Sequence, residues 1–149
     1  MRAVIQRVKK SGVRVAGQSL GEIGSGILAF VAVGPKDLDK EVQYMAEKIV
    51  HLRIFADEAG KMNRSLLDTK GEILIISQFT LYGDCRRGRR PSFTGAAPPE
   101  LAEELIRKFI SEVEGYGVPA TLGKFGAMME IELINDGPVT LILDTKGAF

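Results

Sequence analysis

Only two stretches of this 149-residue chain carry apolar residues at helical spacing, and both are bracketed by short apolar runs of strand type. The first follows Asp37, a predicted helix N-cap, with Leu38, Val42, Met45, Ala46, Ile49 and Val50 on one face. The second opens at Pro98-Pro99 and carries Leu101, Leu105, Phe109, Ile110 and Val113 before Gly115-Tyr116-Gly117 ends it. The remaining pattern predicts strands over 2–8, 13–15 after a turn at Ser11-Gly12, 19–23 after a hairpin through Gly17, and 27–33. Further strands are predicted over 52–55, 72–78, 120–123, 127–134 and 139–144, with a polar loop over 57–61 and a long irregular segment over 83–99. The order is strands, helix, strands, helix, strands, with hairpins commoner than crossovers. That order predicts an α+β fold: a mainly antiparallel sheet or partial β-barrel with two principal helices packed against it.

The length suits one domain spanning 1–149, with no internal repeat or linker. A net charge of +1 excludes a surface that attracts nucleic acid everywhere, so any RNA contact must be local. One cysteine, Cys85, excludes an internal disulfide framework and fits a reducing compartment. The longest apolar run, 27–33, is far short of a membrane span, and the charged N-terminal residues read as a strand rather than a signal peptide. The expected location is cytoplasmic, away from membranes.

Familiar catalytic chemistry is scarce. The only histidine, His51, falls at the end of the first helical stretch, where it needs no function. With one His and one Cys, no zinc-type spacing exists, and neither a Ser-His-Asp nor a Cys-His relay is easily assembled. Arginines surround Cys85, yet no histidine lies nearby in the sequence to serve it as a nucleophile. No metal or cofactor is expected. An enzyme built on this chain would act on an already labile bond, or borrow a group from its substrate.

Three segments do carry chemistry. Ser77-Gln78-Phe79-Thr80-Leu81 ends an apolar run, where backbone N–H groups can face a ligand instead of a neighbouring strand. Thr80 is a candidate nucleophile without an identifiable base; the same residues would equally suit an ordinary strand end bonding its own backbone. Asn135-Asp136-Gly137-Pro138-Val139-Thr140 sets a proline between two apolar runs. X-Pro bonds favour trans by only about 0.5–1 kcal/mol, so a fold can fix a cis bond and aim two successive carbonyls in nearly the same direction. A plain hairpin turn would use the same residues. Arg86, Arg87, Arg89 and Arg90, followed by Phe93, form the one dense basic cluster and suit phosphate contact and base stacking; a solvated loop is the alternative.

These segments, with the opening Met-Arg-Ala-Val-Ile-Gln-Arg-Val, resemble the motifs of the D-aminoacyl-tRNA deacylase family in order and spacing, over essentially the whole chain. The resemblance implies a cytosolic homodimer that hydrolyses the ester between a D-amino acid and the 3′-terminal adenosine of tRNA, and that accepts mischarged glycyl-tRNA. It implies a cis Gly137-Pro138 bond reaching into the partner subunit's active site, its carbonyls blocking an L side chain, with Arg7 bracing the motif. Ser77, Gln78, Phe79 and Leu81 correspond to residues holding the adenosine and the aminoacyl group, and Phe93 lies beside them in the expected site. For the attacking group it leaves either Thr80 or the RNA's own 2′-hydroxyl. Arg86, Arg87, Arg89 and Arg90 are expected to contact tRNA.

Overall fold

The computed structural model describes residues 1–147. Its elements run β1 (Arg2–Val15), β2 (Gln18–Ile23), β3 (Gly26–Ala32), α1 (Asp39–His51), β4 (Phe55–Ala56), β5 (Met62–Arg64), α2 (Leu66–Thr69) and β6 (Glu72–Ser77). A 3-10 turn (Phe79–Tyr82), α3 (Pro99–Gly115), β7 (Ala120–Leu122) and β8 (Glu130–Asp144) follow.

Everything is organised on β1. One edge takes β3 along its first half, from Arg2↔Ala32 to Val8↔Gly26, and β2 along its second, from Ser11↔Ile23 to Val15↔Gln18. The other edge takes β8 along its whole length, from Arg2↔Asp144 to Arg14↔Glu130. From β3 the sheet continues through β6 to β7, both pairings parallel. Thr121 of β7 then packs against Gly21 of β2, so the ribbon curls until it nearly closes.

The α+β partial barrel with two principal helices is therefore as expected, and its sheet is mainly antiparallel, through β1 with β2, β3 and β8, with parallel pairing only at β3–β6 and β6–β7. A parallel neighbour requires a crossover. The β3-to-β6 connection contains α1 and the β6-to-β7 connection contains α3, so each helical segment marks a parallel pairing.

Alternation along β3 and β6 feeds two cores. Ile27, Ala29, Val31, Ile73 and Ile75 share a buried cluster with Met45 and Ile49 of α1 and Phe109 and Val113 of α3. Leu28, Leu74 and Ile76 instead join Val8, Val13 and Ile23 inside the curl. Burial on both faces is why these strands read as unbroken apolar runs. Among the described residues no helix is long and apolar enough to cross a membrane.

Several local expectations are overturned. Ser11-Gly12 is no turn: β1 passes straight through, and the Ser11 hydroxyl donates to the Glu132 carbonyl at 2.8 Å. The chain reverses only at Ala16-Gly17, both with positive φ, in the hairpin expected through Gly17. Asp37 does not cap α1. Its carboxylate is buried, 2.8 Å from the Met1 ammonium and accepting from Gly34 N at 2.6 Å. Leu38 is the N-cap residue, and its N–H is taken by the Glu41 carboxylate at 2.8 Å. The predicted 52–55 strand shrinks to β4, paired with β5, and α2, capped by Ser65 and Asp68, was not anticipated. Finally, 127–134 and 139–144 are not two strands around a hairpin. They are parts of one strand, β8, interrupted by a bulge.

Candidate functional site

The first motif begins where the parallel ladder ends. Gln78 N makes the last bond, to Val31 O at 2.8 Å, and the chain then tightens into the 3-10 turn through Leu81 N→Gln78 O (3.2 Å) and Gly83 N→Thr80 O (2.9 Å). The strand thus stops at Ser77, one residue before the expected end. Among the described residues the N–H groups of Phe79 and Thr80, lying between the two bonding patterns, have no backbone acceptor. Ser77 and Gln78 are half-buried, whereas Thr80 and Phe79 are exposed, Phe79 by 55%. The Thr80 hydroxyl accepts from the Gln78 side-chain amide, a donor that cannot take its proton. His51 sits at the end of α1 with Nδ1 2.8 Å from Glu47 O and its ring edge-on to Tyr116.

Phe93 meets Phe79 edge to face, with ring centroids 5.2 Å apart. Between them the chain forms a small hairpin, closed by Asp84 N→Ser92 O (2.7 Å) and Ser92 N→Asp84 O (3.0 Å), that presents the arginines at its tip. Arg86 is engaged there: its guanidinium bonds both Asp84 oxygens, at 2.7 and 2.9 Å, and holds that carboxyl well below the usual carboxylate range. Among the described residues Arg87, Arg89 and Arg90 are exposed and have no ion-pair or hydrogen-bond partner.

The second motif is the bulge in β8. Gln6 faces Thr140 and Val8 faces Asn135, so Arg7 stands opposite the whole of 136–139. Asn135 closes the loop, accepting from Val139 N at 2.8 Å and donating to Val139 O at 3.1 Å, while Val139 is buried in the helix-side core. Arg7 donates through Nε to Asp136 O at 3.0 Å, lies 3.3 Å from the Asp136 carboxylate, and donates through Nη1 to Ile54 O. The Gly137-Pro138 bond is cis, and both residues are exposed.

The two motifs do not meet within one chain. Arg7 is level with Ile27 and Ile73, whereas Ser77 is level with Val31, four residues further along β3 and β6. At about 3.3 Å per residue along the strands and about 4.8 Å for each of three strand spacings, the separation is roughly 20 Å.

A cavity of about 360 Å³ does adjoin the first motif, at the carboxyl ends of β6 and β7, the side on which open α/β sheets place their ligands. Ser77, Leu122, Gly123, Lys124, Phe125 and, from α3, Arg107 are among its lining residues. Glu103 and Ile106 of α3 complete that wall, and Glu103 is ion-paired with Arg107 at 2.7 Å. None of these except Ser77 was expected. The one available signal was Gly123-Lys124-Phe125-Gly126, a lysine and an aromatic between glycines just past a strand. Among the described residues no cluster of three or more His, Cys, Asp or Glu is placed to hold a metal ion.

A family model described as D-Tyr-tRNA(Tyr) deacylase matches residues 4–144. The chain belongs to the D-Tyr-tRNA(Tyr) deacylase family. It is 59% identical to the D-aminoacyl-tRNA deacylase of Desulfatibacillum aliphaticivorans over 146 residues, covering 98% of this chain and all of that one. It is equally similar, at 59% over 149 residues and the full length of both, to the D-aminoacyl-tRNA deacylase of Fervidobacterium nodosum. Among solved structures, a c-Myc DNA Unwinding Element Binding Protein superposes with a TM-score of 0.91 at 39% identity, over 97% of this chain and 99% of that one. A chain described as a probable eukaryotic D-amino acid tRNA deacylase shares the fold, with a TM-score of 0.83 at 18% identity, over 95% of this chain and 97% of that one. Membership of the deacylase family makes this chain a hydrolase that removes D-aminoacyl groups from tRNA.

Proposed function

We propose that the protein is a cytosolic homodimer that hydrolyses the ester joining a D-amino acid, or mischarged glycine, to the 3′-terminal adenosine of tRNA. In each site the Gly137-Pro138 segment comes from the other subunit. The observation that carries this reading is the register that sets the motifs three strand spacings and four residues apart in one chain, roughly 20 Å, combined with the exposure of Phe79, Thr80, Gly137 and Pro138. Two copies related by a twofold axis can bring motif one of each against motif two of the other. The exposed apolar residues Leu133, Ile134 and Ile142 of β8 support an interface on that strand.

In such a site the N–H groups of Phe79 and Thr80 would stabilise the oxyanion as water attacks the ester carbonyl, and the bond to the ribose oxygen breaks to give amino acid and tRNA. One such donor is worth about 10²–10³ in rate. The 2′-hydroxyl beside the ester supplies the proton-handling group that the protein lacks, and its proximity accounts for much of the remaining barrier. Main-chain carbonyls of Gly137 and Pro138 fill the space an L side chain needs. A D side chain points away, and glycine has none to exclude. Phe125 and Phe79 would stack on the terminal base, and Arg87, Arg89 and Arg90 would contact the phosphates of the acceptor end.

Incubated with D-tyrosyl-tRNA and L-tyrosyl-tRNA, the protein is expected to release only the D-amino acid. Equal rates, or no release above the spontaneous rate, would overturn the reading. Thr80→Ala is expected to retain activity within about tenfold, since the backbone donors and the 2′-hydroxyl remain; complete loss would restore Thr80 as nucleophile. Replacing Arg87, Arg89 and Arg90 together by alanine is expected to raise KM for charged tRNA and flatten its salt dependence, by about 0.7 in log–log slope per lost phosphate contact. Arg86→Ala, already committed to Asp84, is expected to change the slope least.

A further inference from the structure

We propose that Arg2, held by Asp144 and Tyr82, is a positioning residue for the deacylation step: it fixes the 3-10 turn whose first N–H groups face the reacting ester. This inference rests on the function proposed above. The turn is anchored on one side by Gln78 N→Val31 O and on the other by Arg2, whose Nη1 donates to Leu81 O at 3.1 Å. The same guanidinium uses Nε to bond Asp144 at 2.9 Å, and the Asp144 side chain is only 4% exposed. Its Cζ lies 4.5 Å from the Tyr82 ring centroid, a cation–π contact with the last residue of the turn. Tyr82 is itself half-buried, and its phenol is pushed well above its ordinary value, first by burial and then by the negative charges of Asp37 and Asp144.

One planar cation therefore ties three things together: the turn of the first motif, β1, and the end of β8, the strand that carries the second motif. The geometry demands a guanidinium. Two different N–H groups, pointing in different directions, are satisfied while the flat face covers a ring; an ammonium is a point charge that can pair with Asp144 but lacks this fork. Loss of the Leu81 bond leaves the turn's outer side unpinned. The donors at Phe79 and Thr80 then lose their alignment with the oxyanion, although the cavity that binds the adenosine is unchanged. The deficit should appear in turnover rather than in binding.

The test compares Arg2→Lys and Arg2→Ala with the parent in three measurements: kcat and KM on D-tyrosyl-tRNA, thermal midpoint, and amide hydrogen exchange at Leu81 and Gly83. Both variants are expected to lose about ten- to hundredfold in kcat with KM within about twofold. Arg2→Lys is expected to keep a near-parent midpoint, and exchange at Leu81 and Gly83 to accelerate while the β3 and β6 amides stay protected. A parent-like kcat in Arg2→Lys, a loss confined to KM, or unchanged exchange at the turn would overturn the proposal. If instead the parent fails to deacylate D-tyrosyl-tRNA while the exchange result holds, the proposed function fails and the structural role of Arg2 survives.

Discussion

Gly26→Ala is expected to leave little folded protein. Gly26 opens the parallel pairing of β3 with β6, opposite Glu72. A Cβ there would lie 1.9 Å from Glu72 O, 2.8 Å from its carbonyl carbon and 2.9 Å from its nitrogen. All three are backbone atoms, so no side-chain rotation relieves the clash. The strands would have to separate at the point where Ile27 and Ile73 enter one core and Leu28 and Leu74 the other. Close-packed interiors absorb such a displacement poorly. The expected loss exceeds about 4 kcal/mol, comparable with the whole stability of a domain of marginal stability. Circular dichroism during thermal unfolding is the measurement, with Gly24→Ala as control, since the nearest neighbour to an added Cβ there is a side-chain oxygen of Glu72 at 3.5 Å, an ordinary contact distance. A Gly26→Ala midpoint within about 3 °C of the parent, under 2 kcal/mol for a chain of this size, would refute the close pairing.

What the sequence disclosed follows from where the controlling interactions lie. The helices were legible because Val42, Met45 and Ile49, or Leu105, Phe109 and Val113, repeat on a single face and need only a surface to cover. The runs that became β3 and β6 were legible because both faces are buried. Ser11-Gly12 misled because its local chemistry suits a turn, whereas continuity is imposed by partners on both edges of β1. Asp37 misled for a similar reason: its partner, the Met1 ammonium, is remote in sequence and comes beside it only because β1 starts level with the end of β3, and no capping rule contains it. Asn135 does supply turn-like bonds to Val139, yet the strand resumes in its original direction, a fact visible only in the pairing with β1. The motif segments were recognisable, but the wall opposite Ser77 was not. Glu103, Arg107 and Phe125 reach that cavity only through the packing of α3 and β7.

Gly137→Ala is expected to cost activity far more than stability. Gly137 has φ +136, a conformation that L side chains rarely adopt, and an added Cβ would lie 2.8 Å from Val139 Cγ2, 3.0 Å from Arg7 Nη2 and 3.1 Å from Val139 N. The bulge is exposed and already outside the regular ladder, so the loop can shift at a cost of about 1–2 kcal/mol. Such a shift moves the two carbonyls assigned to the chiral filter and disturbs Arg7, which holds Asp136 O and Ile54 O together. A displacement near 1 Å at a reacting centre costs about 10²-fold, and that loss on D-tyrosyl-tRNA is expected with a midpoint only a few degrees lower. Whether the loop serves its own chain or its partner is then decided by mixing. Phe79→Ala damages the cavity side of a site and Gly137→Ala the inserted side, so each homodimer has two defective sites. Refolded together, half the dimers are mixed, and each of these has one site with both defects and one with neither. Activity should return to about a quarter of the parent, a recovery that shared sites require and that independent subunits cannot produce.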